Sequence, residues 1–226
     1  IKEKRQRNIA DLIYFNEMGH CCLGDKFIFY RVWSDAVKIS KLAAIKQNEI
    51  MGDITNSSEK NLKQLVRQLE KSKPDYLLGY GSAYQVLADY LEKINYQNSV
   101  KLKGIISSAD KLEEATREKL KKIFKCPVTS RYSNQENGVL AHECIEHQEF
   151  HLNIASYIIE ILRFDKDETV QDGEEGRIVI TDLFNYAQPF IRYDTGDVGI
   201  KIDSGQCTLN TPILKQLSGR MLDFVY

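Results

Sequence analysis

The sequence has no apolar run approaching the ~20 residues that cross a bilayer. Its first residues, IKEKRQRNIADLIYF, carry charges where the apolar core of a secretory signal would lie. Neither a membrane span nor a secretory leader is expected, and the cytoplasm is the expected compartment. An excess of one charge is missing too. Lys and Arg total 31 against 32 Asp and Glu, a formal net charge of −1, so no basic field invites nucleic acid or an anionic membrane. A phosphate-bearing partner would need a local site. The five cysteines are odd in number, and Cys21 adjoins Cys22, which fits reduced thiols or a metal site better than a disulfide framework. Internal repeats and low-complexity tracts are absent. The first residue is Ile, not Met, so further sequence is expected before it.

What is present is a chain of 226 residues, 42% hydrophobic and 28% charged, the composition of a globular protein with one large or two small cores. From about residue 59 to 132, helix and strand signals alternate. SSEKNLKQLVRQLEKS carries Leu62, Leu65, Val66 and Leu69 at helical spacing, and Pro74 ends it. DYLLGY reads as a short strand. SAYQVLADYLEKI reads as a helix with Ser82 as N-cap. KLKGIISSA is a second strand, and DKLEEATREKLKKIF a third helix with acids early and lysines late, as the helix dipole favours. CPVTSRY closes the series. This order implies right-handed crossovers and a parallel sheet.

The remainder differs. IASYIIEILRF, EEGRIVITDLF and PFIRYDTGDVGIKID are strand-like and separated by turn clusters. The expected fold class is α/β, a parallel strand-helix-strand layer over residues 1–138 followed by a mainly β subdomain over 139–226. In the first 55 residues the basic start reads as a helix, and GDKFIFYRVW as a turn into a strand.

In open parallel sheets, ligands sit outside the carboxyl ends of the strands. Three segments fall there: GYGSA, SSAD and RYSNQENG. The last places Arg131, Tyr132, Ser133, Asn134, Gln135, Glu136 and Asn137 together. Such a loop can offer a ring to a base and a carboxylate to Mg²⁺, and alone it reads equally as a solvated turn. TGD can present Asp197 to a ribose diol, or be a β-turn with Asp and Gly in ordinary places. SGRMLD can bring Arg220 to a phosphate or ribose, or cap a hairpin. Trp33, Tyr76, Tyr80 and Tyr84 are aromatic enough for an acyl pocket, although such spacing more often marks core. Tyr80 is the exception, because it follows a strand at the ligand-binding edge.

Taken together and in order, SSAD, RYSNQENG, GEEGRIVITDL with PFIRYDTGDVG, and LSGRMLD resemble the adenylate-forming ligase superfamily. The match is to its phenylacetate–CoA ligase and CapK-type capsule-biosynthesis branch. Ala141, Glu143 and Cys144 match an A-x-E-C step of that branch, and Gly79, Tyr80, Gly81 and Ser82 a GYPS-like turn. The resemblance implies a carboxylate activated with Mg-ATP to an acyl-adenylate, with CoA as a possible acceptor. By motif, Ser108, Ala109 and Asp110 would line adenine, and Tyr132 would lie against the purine. Glu136 would hold Mg²⁺, with Gln135 as its catalytic neighbour. Asp197 would bind the ribose hydroxyls, Arg220 the ribose or phosphate, and Tyr80 the substrate. Arg192 and Tyr193 would brace the TGD loop.

The departures are specific. Gln135 stands where a Thr usually precedes the motif Glu, and no Gly/Ser/Thr-rich phosphate loop occurs. The chain ends just after the family's hinge would begin at Asp223, so the domain with the catalytic lysine is expected to lie outside it. The resemblance thus implies a central fragment of the large domain, inactive alone, of an enzyme in capsular or lipopolysaccharide assembly. An aryl- or acyl-CoA ligase and a non-catalytic nucleotide-binding module are the alternatives. The same branch often carries a structural zinc site, which would fall on Cys144, His151 and Cys207 here. Gly205 occupies the other cysteine's place, so His142 or His147 would have to complete the set, or the site has decayed. Cys21 and Cys22 read as packing residues. The expected partners are a small carboxylate and a nucleotide.

Overall fold

The computed structural model describes residues 2–33, 39–207, 209 and 211–220. Two compact units share the chain: Cys22–Arg131 forms one, and Ile1–Cys21 with Tyr132–Tyr226 the other. The first helix, α1 (Lys2–Gly19), belongs to the second of these.

In the first unit the chain runs β1 (Phe27–Arg31), α2 (Lys41–Gln47), β2 (Glu49–Asp53), α3 (Glu59–Ser72), β3 (Tyr76–Tyr80), α4 (Gly81–Lys93), β4 (Gly104–Ser108), α5 (Glu114–Phe124) and β5 (Val128–Asn134). The strands pair in parallel in the order β2-β1-β3-β4-β5. Every residue of β4, GIISS, is buried, the continuous run that a strand covered on both faces requires. In α3 the buried residues are Leu62, Leu65, Val66 and Leu69, the stripe read from the sequence. Leu69, Leu77, Leu91, Ile105 and Leu120 are all fully buried in one cluster, each contributing on the order of 1.5–3 kcal/mol of transfer free energy. Trp33, Tyr76 and Tyr84 are buried as well. Trp33 Nε1 donates to the Gly52 carbonyl at 3.0 Å, and the Tyr84 hydroxyl to that of Ile106 at 3.3 Å, so these rings are core.

The second unit is antiparallel. Its strands β6 (Gly138–Glu143), β7 (Phe150–Leu152), β8 (Tyr157–Leu162), β9 (Glu175–Asp182), β10 (Tyr193–Ile202) and β11 (Ile213–Arg220) lie in the order β6-β7-β11-β10-β9-β8. Leu140, Tyr157, Ile161, Ile178, Ile180 and Leu214 fill its core. Helix α1 packs on β6, and its Tyr14 hydroxyl donates to the His151 carbonyl at 2.6 Å.

Three details differ from the sequence reading. The division falls at residues 131/132 rather than 138/139, and α1 groups with the antiparallel sheet through its packing on β6, a strand too distant in sequence for local patterns to reveal. Ser82 lies inside α4; Tyr80 holds the N-cap position without a side-chain bond. The third helix starts at Glu114, after an irregular stretch from Ala109.

Candidate functional site

Asp197 sits where β10 slips in register against β9 between Asp194 and Val198. Gly196 makes this possible: its φ is +76° and nothing lies within 4 Å of where a Cβ would be, so backbone conformation, not crowding, selects glycine. The Tyr132 hydroxyl donates to Asp197 Oδ2 at 2.6 Å and approaches Thr195 Oγ1 at 3.4 Å. Thr195 Oγ1 donates to the Ile178 carbonyl at 3.0 Å and accepts the Asp197 N–H at 3.1 Å. The half-exposed Asp197 is therefore held at its carboxylate by Tyr132 and at its backbone by Thr195. Tyr132, expected to lie flat on a purine, is only 8% exposed and packs in the core, so little of its ring face is open to stacking.

The residues before Asp197 hold the loop. Asp194 Oδ1 accepts the Gly196 N–H at 3.0 Å, and Asp194 Oδ2 meets Arg177 Nη1 at 2.7 Å. Arg192, at φ +48°, donates through its backbone to Thr181 Oγ1 at 3.0 Å and through Nε to Glu160 at 3.2 Å. Exposed pairs of this kind contribute roughly 0–1 kcal/mol each, so their effect is on geometry more than stability. Tyr193 packs edge-on against Phe190 at 5.0 Å. In backbone register Asp197 pairs with Arg220 across β10 and β11; the Arg220 side chain and Asp223 lie outside the described residues.

In the parallel unit, Ser108 ends β4, and Ala109 and Asp110 form the turn after it. Ser108 is buried and its Oγ accepts from Arg131 Nε at 3.1 Å. Ala109 has φ +72°, a conformation a non-glycine residue rarely takes, which costs on the order of 1 kcal/mol. The Asp110 carboxylate accepts from the backbone N–H groups of Gly81 and Ser82, the latter at 3.1 Å. Asp110 thus caps α4, in the role that the sequence suggested for Ser82, and its charge suits the positive helix end. A Cβ on Gly81 would lie 2.5 Å from the Lys111 carbonyl, so glycine is needed for this close approach. Tyr80, half-buried, ends β3 beside this turn.

RYSNQENG is less loop than expected: β5 runs through Asn134 and only Gln135, Glu136 and Asn137 form the turn. Gln135 and Glu136 are exposed. Glu136 belongs to no group of three or more possible metal ligands among the described residues. A lone exposed carboxylate suits Mg²⁺ that takes its other oxygens from phosphates and water. Asn137, named in the motif without a role of its own, has its side-chain Nδ2 and Oδ1 buried without a hydrogen-bond partner among the described residues, an arrangement that costs free energy unless a further group arrives. Its neighbours pin it, Asn134 Oδ1 accepting its N–H at 2.8 Å and the Tyr157 hydroxyl donating to its carbonyl.

Cys144, His151 and Cys207 come together, with one ligand atom of each within 4.8 Å of the others. Cys144 follows β6, His151 lies on β7, and Cys207 lies between β10 and β11. The strand pairs His142↔His151 and Ile213↔His151 bring these segments side by side. His151 is fully buried; Nδ1 pairs with Thr211 Oγ1 at 2.7 Å, and Nε2 has no hydrogen-bond partner among the described residues. An imidazole steadied on one nitrogen and bare on the other beside two sulfurs fits a metal ligand. Burial pushes the Cys144 thiol up, helped by the adjacent Cys207, and burial pulls the His151 imidazole below its usual range, opposed by Glu149. His142 is buried with Nδ1 2.8 Å from the Glu143 carbonyl and His147 is exposed; neither joins the cluster. Cys21 is buried, whereas Cys22 is exposed. Burial drives the Cys126 thiol up to about 12, as for a packing residue.

No family model matches the chain. Among curated proteins it is similar to the protein CapK of Staphylococcus aureus, at 26% identity over 203 residues covering 84% of this chain and 42% of CapK. The chain thus spans less than half of that relative's length. Among solved structures it is similar to a 2-hydroxyisobutyryl-CoA ligase in complex with 2-HIB-AMP and CoA, with a TM-score of 0.75 and 17% identity over 99% of this chain and 50% of the ligase. A benzoate–CoA ligase from Burkholderia xenovorans gives a TM-score of 0.66 at 15% identity, over 97% of this chain and 47% of that one. A long-chain-fatty-acid–CoA ligase from Archaeoglobus fulgidus gives 0.64 at 15%, over 93% and 46%. The resemblance carried by the ordered motifs is met: the fold is that of acyl-CoA ligases of the adenylate-forming superfamily, and sequence similarity reaches a CapK protein. No helix among the described residues is long and apolar enough to cross a membrane.

Proposed function

We propose that this chain is part of a cytoplasmic, ATP-dependent ligase that activates a carboxylate as its acyl-adenylate, of CapK type, in capsular or lipopolysaccharide assembly. The observation that carries the reading is Asp197, raised on the Gly196 bulge, with its carboxylate oriented by Tyr132 and its backbone held by Thr195. A carboxylate held this way accepts two hydroxyl donors without reorganising, which a ribose diol supplies. Tyr132 then acts through Asp197. In the parallel unit the Ser108–Asp110 turn is the adenine-facing element, presenting its backbone while the Asp110 side chain caps α4. Tyr80 faces the acyl substrate, Gln135 donates to the α-phosphate, and Arg220 reaches ribose or phosphate. Glu136 is the residue that would hold Mg²⁺, which when bound would supply charge compensation to the phosphates.

A CoA acceptor is the second reading, supported by the solved neighbours, several of which are CoA ligases. A structural zinc ion on Cys144, His151 and Cys207 is part of the same proposal, supported by the unpartnered His151 Nε2. The test is carboxylate-dependent ATP–pyrophosphate exchange by the full-length protein across aryl, fatty and amino acids. Exchange with at least one acid is expected. AMP binding without exchange for any acid would instead assign a non-catalytic nucleotide module.

A further inference from the structure

One residue touches the backbone of all three sulfur and imidazole ligands and has no part in the nucleotide reading. Glu149 lies between Cys144 and His151 in sequence. Its carbonyl accepts the Cys144 N–H at 3.0 Å and the His151 N–H at 3.1 Å. Its carboxylate reaches across to the segment between β10 and β11, where it accepts the Gln206 N–H at 3.0 and 2.9 Å and the Cys207 N–H at 3.2 Å. That carboxylate also fills the space a side chain at residue 205 would enter: a Cβ on Gly205 would lie 2.3 Å from Glu149 Oε2 and 2.9 Å from its Cδ. Gly205 is the position at which the metal site lacks its expected fourth cysteine.

We propose that Glu149 is the positioning residue of the Cys144–His151–Cys207 site, and that it replaces the hold a fourth ligand at residue 205 would exert on the Cys207 turn. The inference rests on the zinc reading given above. Cys207 sits outside any regular strand, so nothing in the sheet ladder fixes its sulfur. A ligand at 205 would tie this turn to the metal directly; the carboxylate ties it to the hairpin that carries the other two ligands. Both Glu149 oxygens bond the turn's N–H groups, and the carboxylate is not among the atoms of the mutually close ligand group. It therefore acts on the ligands through the backbone. Cys144, His151 and Cys207 are the residues that would hold the metal.

The experiment compares the full-length wild-type protein with Glu149→Ala, Glu149→Gln and Gly205→Ala. Zinc affinity is measured by competition with a chromophoric chelator. The metal-free readout is the Cys144–Cys207 disulfide at equilibrium with glutathione, identified by mass mapping. In that exchange two protein thiols are oxidised to one disulfide as one oxidised glutathione becomes two reduced ones, so the equilibrium reports how closely the thiols are held. Loss of the tether is expected to weaken zinc binding about 10–100-fold in Glu149→Ala and to lower the disulfide equilibrium constant about tenfold. Glu149→Gln, which keeps a neutral acceptor, should lose less, and Gly205→Ala, whose methyl enters the carboxylate's space, should lose affinity too. If the alanine variant does not fold, the glutamine and Gly205 variants decide. A wild-type protein that binds no zinc would remove the zinc reading, while the disulfide equilibrium would still judge the tether. Wild-type zinc affinity and wild-type disulfide equilibrium in the Glu149 variants would overturn it.

Discussion

The Tyr132 hydroxyl lies 2.6 Å from Asp197 Oδ2, joining the end of β5 to the bulge of β10 inside one unit. Two motif residues that are 65 apart in sequence are thus a single hydrogen-bonded device. The tyrosine is buried and the carboxylate is half-exposed, so one positions and the other is free to touch a ligand.

Removing the tyrosine hydroxyl tests that division of labour. Tyr132→Phe keeps the buried ring and loses a hydrogen bond to a charged acceptor, an effect of about 1.5–3 kcal/mol where both partners are ordered. Nucleotide affinity of the full-length protein should fall about tenfold or more in a titration with a fluorescent adenine nucleotide, alongside the lower melting temperature that loss of the bond brings. An equal loss of stability and no loss of affinity would make the bond purely structural.

Asp110→Ala should destabilise the protein by about 0.5–2 kcal/mol through the lost cap of α4. For a protein of this size that corresponds to a melting temperature roughly 1–8 °C lower. Asp110→Asn, which can still accept, should recover part of the difference. An unchanged melt would mean that the Gly81 and Ser82 N–H groups are capped by solvent just as well.

Ser82 and Asp110 also show where sequence reasoning reaches its limit. The stripe of Leu62, Leu65, Val66 and Leu69 predicted α3, and all four are buried, because a helix face repeats locally. The four-motif order led to the adenylate-forming fold for the same reason: each motif is a local string. The cap of α4 comes from a residue 28 positions after Ser82, and no periodicity records such a bond. Likewise β7 is only three residues long and pairs with β11, so its link to the Cys207 segment was legible only through the family resemblance and not from any local pattern. Glu149, in a run of polar residues, could have been singled out only by noticing that it stands between two candidate ligands.

An acid-sensitive contact ties β3 into the parallel unit. Burial raises the Asp75 carboxyl, but the Lys26 N–H at 2.8 Å and the Lys103 ammonium at 3.2 Å outweigh it and hold the group below the usual carboxylate range. A depressed carboxylate stabilises the fold above the unfolded value and loses that contribution as pH falls through the folded one. The destabilisation caused by Asp75→Asn should therefore be present at pH 7 and shrink below about pH 4. Thermal melts of the two proteins at pH 7 and pH 3 check this; a constant difference would contradict it.

Gly196→Ala places a side chain at φ +76°, with open space around it. The expected cost is about 1–2 kcal/mol of backbone strain, smaller for Gly196→Asn, which tolerates the left-handed region better. Denaturant melts measure the cost. A neutral alanine substitution would show that the bulge relaxes, and with it the seat of Asp197.

The central claim is that Asp197 contacts the nucleotide of a carboxylate-activating reaction. Its most direct test is ATP–pyrophosphate exchange by the full-length protein and its Asp197→Ala variant, in the presence of an activated acid found by screening. We expect exchange that depends on the acid in the wild type, and at least about a tenfold loss with raised KM for ATP in a variant that melts normally. Exchange and KM for ATP unchanged in Asp197→Ala, or a variant that unfolds, would return TGD to the status of a structural turn.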